Sequence, residues 1–506
     1  MKNIYKLICF FALVSMITVG CRKDYEWAEP EPGITGLEAE YYVVVKESLL
    51  LKPVLQNRVD SIVWTLNGKR VANSLQYTFQ APSDAGSFTL MAMAYNKGNI
   101  FQKVIKITTG IYLNFQTATN TVVAMEAPAK FAGKTDIKWE VSEGPSDLYR
   151  IVASNNSAQF VTSAKGTYKI KVSSGSTEDI LLITVRPPVK AWSSFTAKVF
   201  DYLPAPGQFV NEIPKYVAGD TFETMLKKAG DELIGEDANM VTLGGWGGYV
   251  VIGFDHTIVN VAGRRDFRIY GNAFGAAANP RPNAPFGGSC EPGIIMVAYD
   301  RNKNGKPDED EWYEIKGSGN FSADKEPWYS IAVAKGNDVG TFRTYEMTFE
   351  RPATETPSGP PQAGGVSIPS YIKWTDNQGQ QGYKVKNVYH TQSYYPGWIK
   401  DSKITYKGIR LARNGMDESG AGSYYVQYGF SYGYVDNYPN NHDNSGIDID
   451  WAIDKNGNKV VLPGIDFVKV YNGIDQENGW LGEASTEVSR GEDLHLLGVK
   501  IATVNP

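Results

Sequence analysis

Cysteine and histidine are scarce in this chain of 506 residues, which contains only three cysteines and four histidines. Cys9 lies in an apolar N-terminal run and Cys21 follows that run directly, so Cys290 is the only cysteine left for the remainder. No internal disulfide is therefore expected in the mature chain, and burial of apolar surface has to hold its core together. The length is ample for two or three domains.

Basic clusters and catalytic signatures are also missing. The net charge is −5 and no basic block interrupts the sequence, which argues against a nucleic-acid partner. The chain has no Gly-x-Ser-x-Gly, no His-Glu-x-x-His and no glycine-rich phosphate loop with lysine. Asp255 and His256 are adjacent, but neighbours on a strand point to opposite faces, so the pair is a poor candidate for a catalytic dyad. The sequence therefore predicts a protein that is not an enzyme.

The N-terminus has the order of a secretory signal. Lys2 and Lys6 precede the apolar run 8–19, and Gly20 places a small residue before Cys21. The run is too short to cross a bilayer as a helix, which favours a signal peptide over residues 1–20. A buried N-terminal helix is the less favoured alternative.

This order resembles the lipobox of bacterial lipoproteins, in which the cysteine is acylated and becomes the first mature residue. Thr18 stands where that motif usually has leucine. The resemblance implies lipidation at Cys21 and a lipid anchor in the outer membrane. Acidic residues just after the cysteine accompany display on the outer face in Bacteroidetes-type lipoproteins, so we expect the protein to face the cell exterior. Residues 21–36, rich in proline and glutamate, are expected to form an extended tether.

Short apolar and β-branched runs between turn signals predict an all-β fold beyond the tether. A strand with Trp64 leads into Asn67-Gly68, a typical hairpin turn, and a weaker echo of the pattern surrounds Trp139. We predict two immunoglobulin- or PKD-like β-sandwiches, at 37–109 and 110–188, each with its tryptophan in the core. Residues 195–506 are predicted to form a large jelly-roll-like sandwich with long loops, which would hold the ligand site.

A calcium loop is the sharpest local motif. It begins at Asp300, has Gly305 at its sixth position and ends at Glu311. Oxygen side chains occupy positions one, three, five, nine and twelve, and the backbone carbonyl of position seven completes the set. The predicted ligands are Asp300, Asn302, Asn304, Lys306, Asp308 and Glu311. A structural calcium ion is favoured over an acidic hairpin without metal.

Two further segments leave alternatives open. Asp436, Asp448 and their acidic neighbours have no ligand spacing, so a second cation site and a solvated loop are both compatible with them. Tyr394, Tyr395 and Trp398 lie in a Pro/Gly loop, where rings are hard to use in core packing. Rings in loops stack well on flat ligands, and these three are predicted to bind one.

Four stretches, 247–256, 266–274, 291–294 and 464–471, resemble a family of Bacteroidetes surface lipoproteins that includes vitamin B12-binding proteins of the BtuH type. The resemblance covers roughly residues 195–506 well and the N-terminal modules loosely. It implies PKD-like modules, a C-terminal jelly-roll-like domain and non-catalytic capture of cobalamin beside a TonB-dependent transporter. It transfers no binding residue. A glycan-binding lipoprotein is the second hypothesis, and a glycosidase using two carboxylates is the third.

Overall fold

The computed structural model describes residues 30–276, 282–360 and 365–504, without the side chains of residues 111–115. Its regular structure is almost entirely strand, so the predicted all-β fold is confirmed. No helix in these ranges is long and apolar enough to cross a membrane. Cys21, the signal segment 1–20 and most of the tether lie outside the described residues, and lipidation stays a prediction.

The chain divides into two compact units, Met1–Tyr112 and Leu113–Pro506. The first unit contains the following strands: β1 Gly33–Thr35, β2 Glu40–Val44, β3 Ser48–Leu51, β4 Val54–Gln56, β5 Ser61–Leu66, β6 Lys69–Ala72, β7 Tyr77–Gln80, β8 Gly86–Asn96 and β9 Asn99–Ala118, which continues past the boundary. In this unit β8 pairs with β5 and β9, β5 pairs with β6, and β2 runs parallel to β9. Trp64 is fully buried in the core, as predicted. Asn67 and Gly68 both have positive φ, which is the geometry of the predicted hairpin turn.

The second unit opens with a smaller β-sandwich. Its strands are β10 Val123–Glu126, β11 Lys138–Glu143, β12 Tyr149–Ser154, β13 Ser157–Thr162, β14 Gly166–Ser174 and β15 Thr177–Arg186. Strand β13 lies between β10 and β12, and β14 lies between β11 and β15. Trp139 is buried here and its indole N–H donates to the carbonyl of Asn155 at 2.8 Å, so this tryptophan is also a core residue.

The rest of the unit is a large domain of many short strands. They are β16 Lys198–Leu203, β17 Val241–Thr242, β18 Tyr249–Val259, β19 Phe267–Ile269, β20 Phe274–Gly275, β21 Gly287–Ser289, β22 Gly293–Ala298, β23 Trp312–Ile315, β24 Phe342–Glu350, β25 Val366–Asp376, β26 Gln381–Asn387, β27 Lys403–Arg410, β28 Gly415–Asp417, β29 Tyr425–Tyr428, β30 Tyr434–Val435, β31 Gly446–Ile447, β32 Ala452–Ile453, β33 Gly464–Asn472, β34 Glu487–Val488 and β35 Gly491–Asp493. Two helices, Phe222–Leu233 and Tyr329–Ala334, accompany them.

A seven-stranded antiparallel sheet forms the centre of this domain, in the order β16-β18-β33-β22-β23-β32, with β30 also paired to β22. Alternate apolar residues of β18 and β33 pack into the main core, which the helix Phe222–Leu233 covers. Smaller sheets surround the centre. One has the order β26-β25-β24-β27, and another has the order β20-β21-β29-β28. The second of these forms a wall of the cavity described below.

Tight packing explains the glycine-rich segment that precedes β18. A Cβ atom at Gly248 would lie 1.9 Å from the carbonyl oxygen of Leu243, and one at Gly244 would lie 2.0 Å from that of Ala205. Only glycine allows the backbones to approach this closely.

The small sandwich packs against the large domain within the same unit. Val122 and Val161 share an apolar cluster with Val259 of β18. The side chain of Arg150 donates to Asp450 at 2.6 Å, and both side chains are largely shielded from solvent. The predicted second and third domains are therefore packed together as one compact unit.

Candidate functional site

The three rings predicted to bind a ligand are buried in the core instead. The exposed fraction is 1% for Tyr394, 0% for Tyr395 and 4% for Trp398. Trp398 stacks at 6.2 Å on Tyr202, a residue of the main core. The assignment of these rings to a ligand site is therefore wrong in this structure, because none of them presents a face to solvent.

The loop that carries these rings folds inward because its polar groups find partners there. The hydroxyl of Tyr395 donates to the carbonyl of Asp401 at 3.0 Å. The hydroxyl of Tyr394 accepts from the backbone N–H of Asn387 at 3.3 Å, and the ammonium of Lys386 lies 4.2 Å from the centre of its ring. Both tyrosine hydroxyls thus have partners inside the fold, whereas the indole N–H of Trp398 is buried without one.

The predicted calcium ligands form one compact loop between β22 and β23. The carboxylate of Asp300 accepts from the backbone of Asn304 at 3.0 Å and from that of Gly305 at 2.8 Å. Glu311 is buried and accepts from the backbone of Arg301 at 2.8 Å. The side-chain amides of Asn302 and Asn304 converge on Asp308, at 2.6 and 2.8 Å, and Lys306 follows in the same turn. These hydrogen bonds close the loop, and calcium binding by its six predicted ligands stays a prediction.

A different acidic group is the tightest among the described residues. Glu291, Asp436 and Glu487 each place a carboxylate oxygen within 4.8 Å of the other two. We call these three residues the acid cluster. Asp436 belongs to the segment for which a solvated loop was one alternative, but it is buried, and so is Asp448. The solvated-loop alternative is therefore wrong for both of these residues.

Glu291 follows β21, and its two oxygens face different partners. One oxygen accepts from the side-chain amide of Gln427 at 3.0 Å and from the backbone N–H of Ser485 at 2.9 Å. The other accepts from the hydroxyl of Ser289 at 3.1 Å. All three donors are neutral, so the charge of this carboxylate is solvated by dipoles alone.

Asp436 and Glu487 are held in the same way. Asp436, at φ +55°, accepts from the backbone N–H groups of Asn272 and Ala273 at 2.7 Å each, and from that of Glu487 at 3.1 Å. Glu487 accepts from the hydroxyl of Thr242 at 3.0 Å and from the side-chain amide of Asn272 at 3.1 Å. No lysine or arginine within the described ranges forms an ion pair with the cluster.

Burial without a neighbouring lysine or arginine raises the pKa values of the cluster. Desolvation raises the pKa of Glu291 above its ordinary value. Desolvation, together with repulsion from the neighbouring carboxylates, raises the pKa of Asp436 and of Glu487 well above theirs. The cluster therefore retains protons at a pH at which exposed carboxyl groups have lost them.

The acid cluster lies at the floor of an open cavity of about 790 Å³, which Glu291 and Glu487 line directly. Strands β20, β21 and β29 form one side, and the segment around the short turn Gly479–Leu481 forms another. Four aromatic side chains at the cavity keep much of their surface exposed: Phe274 60%, Tyr389 65%, Tyr424 42% and Trp480 40%. We call this the rim-and-floor pocket, with the four rings as its rim and the glutamates as its floor.

Amides and a third glutamate complete the polar lining. The glutamate is Glu483, whose pKa is raised to about 7, mainly by burial. The amides belong to Gln208, Asn272, Asn387, Gln427 and Asn478. His390 also lines the cavity, and burial lowers its pKa, so it is neutral at pH 7. Among the described lining residues there is no lysine and no arginine, so any charge that the polar surface carries is negative.

A second, smaller cavity of about 500 Å³ lies beside the small sandwich and includes His256. The ring of His256 contacts Asp255 at 2.9 Å and Asp493 at 2.8 Å. The expectation that Asp255 and His256 point apart is therefore wrong, because the pairing of β18 with β33 is irregular between Gly253 and Ile258. His256 and Asp493 are buried, whereas the side chain of Asp255 is 30% exposed at the cavity.

The residues of the rim-and-floor pocket lie far apart in sequence, so no local motif predicts it. Glu291 was visible only as part of a family-like stretch, and Trp480 lies in a segment without periodicity. One local feature of the sequence, a tryptophan between two glycines, does indicate an exposed ring. Trp480 is a large ring flanked by Gly479 and Gly482, both with positive φ, and a tight turn of this kind holds a ring at the surface.

Comparison with protein families and with curated proteins finds no match. Among solved structures, the chain is similar to the titin Ig tandem domains A164-A165 at 16% identity, over 32% of this chain and all of that one, with a TM-score of 0.15. The fibronectin(III)-like modules of CbhA from Clostridium thermocellum match at 11% identity, over 31% of this chain and 94% of theirs, with a TM-score of 0.16. The N-terminal Ig1-2 module of the Drosophila receptor protein tyrosine phosphatase DLAR matches at 14% identity, over 31% and 100%, with a TM-score of 0.15.

These structures are immunoglobulin-like or fibronectin-like modules, and TM-scores this low carry no argument about ligand or activity. They give no support to the family resemblance drawn from the sequence, which enters below only as part of a proposal.

Proposed function

We propose that this protein captures cobalamin in the rim-and-floor pocket and carries out no chemistry on it. The observation that carries the proposal is the pocket itself. Its volume of about 790 Å³ falls within the range of small-molecule sites. Exposed rings such as Trp480 stand over a floor of buried acceptors such as Glu291, and this combination suits a large ligand that is partly flat and edged with polar groups.

Cobalamin matches the chemistry of both the rim and the floor. Its corrin macrocycle offers broad apolar faces to the rim rings, and its peripheral carboxamides offer N–H donors to the glutamates and amide oxygens of the floor. The resemblance of residues 195–506 to B12-binding surface lipoproteins adds support that is independent of the pocket. Anchoring through Cys21 would hold the protein on the outer face of the outer membrane, where it could pass cobalamin to a TonB-dependent transporter. A calcium ion in the Asp300 loop would have a structural role.

A neutral glycan is the second candidate, and the pairing of rings with carboxylates favours it. Sugars stack their C–H faces on aromatic rings and donate hydroxyl hydrogens to carboxylates, so Tyr389 and Glu487 would serve a glycan equally well. The two candidates differ in size, flatness and polar groups, so direct binding measurements separate them.

Calorimetric titration of the purified protein with cyanocobalamin tests the proposal. We expect saturable binding at one site and at least about tenfold weaker binding by the Trp480→Ala variant, because rim aromatics are typical binding hot spots. Phe321→Ala is the matched control, since Phe321 is also half-exposed but lies outside the pocket. Absence of heat with cyanocobalamin, together with positive spots on a glycan array, would replace cobalamin by a glycan.

A further inference from the structure

The charge of the rim-and-floor pocket has consequences for how a ligand sits in it. Glu291, Glu483 and Glu487 line the cavity, and the lining contains no lysine or arginine. Lys384, just outside the lining, attracts Glu483, whereas Glu291 and Glu487 have no ion pair in the described part of the chain. As the glutamates ionise, a ligand carboxylate or phosphate placed at this floor would meet like charge in a partly desolvated site, where repulsion is strong. Hydrogen-bond donors would instead meet acceptors.

Two of the donors that the protein itself supplies at the floor are already engaged. Gln427 gives a side-chain N–H to Glu291, and Asn272 gives one to Glu487. The side-chain oxygen of Asn478, in the same lining, is buried without a hydrogen-bond partner. At Asn478 the floor therefore offers a buried acceptor that needs a donor, and a ligand N–H or O–H group would satisfy it.

We infer that the pocket selects and orients its ligand by this asymmetry: neutral groups that carry N–H or O–H enter at the floor, and anionic groups are turned toward solvent. This inference rests on the proposed function for its ligand. Applied to cobalamin, it places peripheral carboxamides against Glu291 and Glu487, and the phosphate of the nucleotide loop outside the pocket.

Cobalamin derivatives test the orientation at pH 8, because ionisation of the glutamates increases with pH. Mild hydrolysis converts one carboxamide at a time into a carboxylate and yields separable monocarboxylic acids. At least one of these isomers is expected to bind at least about tenfold more weakly than cyanocobalamin, because its carboxylate faces the floor. Cobinamide, which lacks the nucleotide loop and its phosphate, is expected to bind within about threefold of cyanocobalamin, since that end makes no floor contact.

Glu291→Gln identifies the residue responsible. This substitution keeps the acceptor for Gln427 and Ser485, and the hydroxyl of Ser289 can accept from the new amide, so the fold should persist. The variant should recover binding of the disfavoured isomer by at least about threefold. Glu346→Gln, in a solvent-exposed ion pair elsewhere, should leave the discrimination unchanged.

The outcomes separate the inference from the proposed function. Equal binding of all the monocarboxylic acids, or loss of binding by cobinamide, would overturn the orientation while cobalamin capture stands. If cyanocobalamin itself fails to bind, cobalamin capture is refuted. Binding of paired neutral and uronic-acid oligosaccharides then tests the charge rule, namely that the floor admits neutral donor groups and excludes anionic ones. Preference for neutral sugars would support the rule, and preference for uronic acids would overturn it.

Discussion

Replacing Trp398 by alanine should destabilise the second unit strongly, because the structure makes this residue a core side chain. Its indole ring is 4% exposed, stacks on Tyr202 at 6.2 Å and makes a tilted contact with Tyr216 at 6.1 Å. Truncation of a buried tryptophan to alanine costs about 3–5 kcal/mol. The indole N–H of Trp398 is buried without a partner, so the loss of that unsatisfied donor returns about 1 kcal/mol. The expected net loss of unfolding free energy is about 2–4 kcal/mol.

Urea denaturation of the purified protein measures this loss, with Trp480→Ala as the matched control. Trp480 is 40% exposed at the pocket rim, so its truncation should change the unfolding free energy by less than about 1 kcal/mol. The midpoint of Trp398→Ala should fall with the slope unchanged, which marks a change in stability alone. Equal midpoints for the two variants, or a larger loss for Trp480→Ala, would refute the assignment of Trp398 to the core and Trp480 to the rim.

Three further predictions concern calcium, pH and the anchor. A chelator should lower the thermal midpoint of the wild type in a melting experiment, because an ion that binds only the folded state stabilises it. The midpoint of Asp300→Ala should not respond to the chelator. Identical wild-type melts with and without chelator would count against the site. Burial raises the pKa of Glu487 well above 4.5 in the folded state, so its contribution to stability is lost as the pH rises from 4.5 through the folded value. In paired urea titrations, Glu487→Gln should therefore be more stable relative to the wild type at pH 8 than at pH 4; an unchanged pH dependence would contradict this. Cys21→Ala should abolish incorporation of a lipid precursor and release the protein from the membrane fraction, whereas continued labelling would show that the anchor lies elsewhere.

Local chemistry made much of the fold predictable. The helix Phe222–Leu233 follows local signals, since Thr221 accepts from the backbone of Thr224 as its N-cap. Trp64 and the Asn67-Gly68 turn lie where alternation and turn preference place them. These features depend on a few consecutive residues, so the sequence contains the information that determines them.

The candidate site was not predictable in the same way. Whether a ring in a loop faces solvent depends on segments far away in sequence. Tyr395 is buried because its ring packs in an apolar cluster with distant core residues and its hydroxyl donates to the carbonyl of Asp401. The acid cluster joins Glu291, Asp436 and Glu487 across nearly two hundred residues of sequence, and no spacing rule connects them. The sequence showed surplus aromatics and unassigned acids, but only the tertiary packing shows which of them share a cavity.

Location of the corrin cobalt in crystals of the complex tests the central claim most directly. Anomalous scattering at the cobalt absorption edge marks that single atom independently of the surrounding density. We predict one strong peak within the rim-and-floor pocket, between the rim ring of Trp480 and the floor at Glu291. A peak in the smaller cavity beside His256, at the surface near Trp398, or nowhere on the protein would contradict the account.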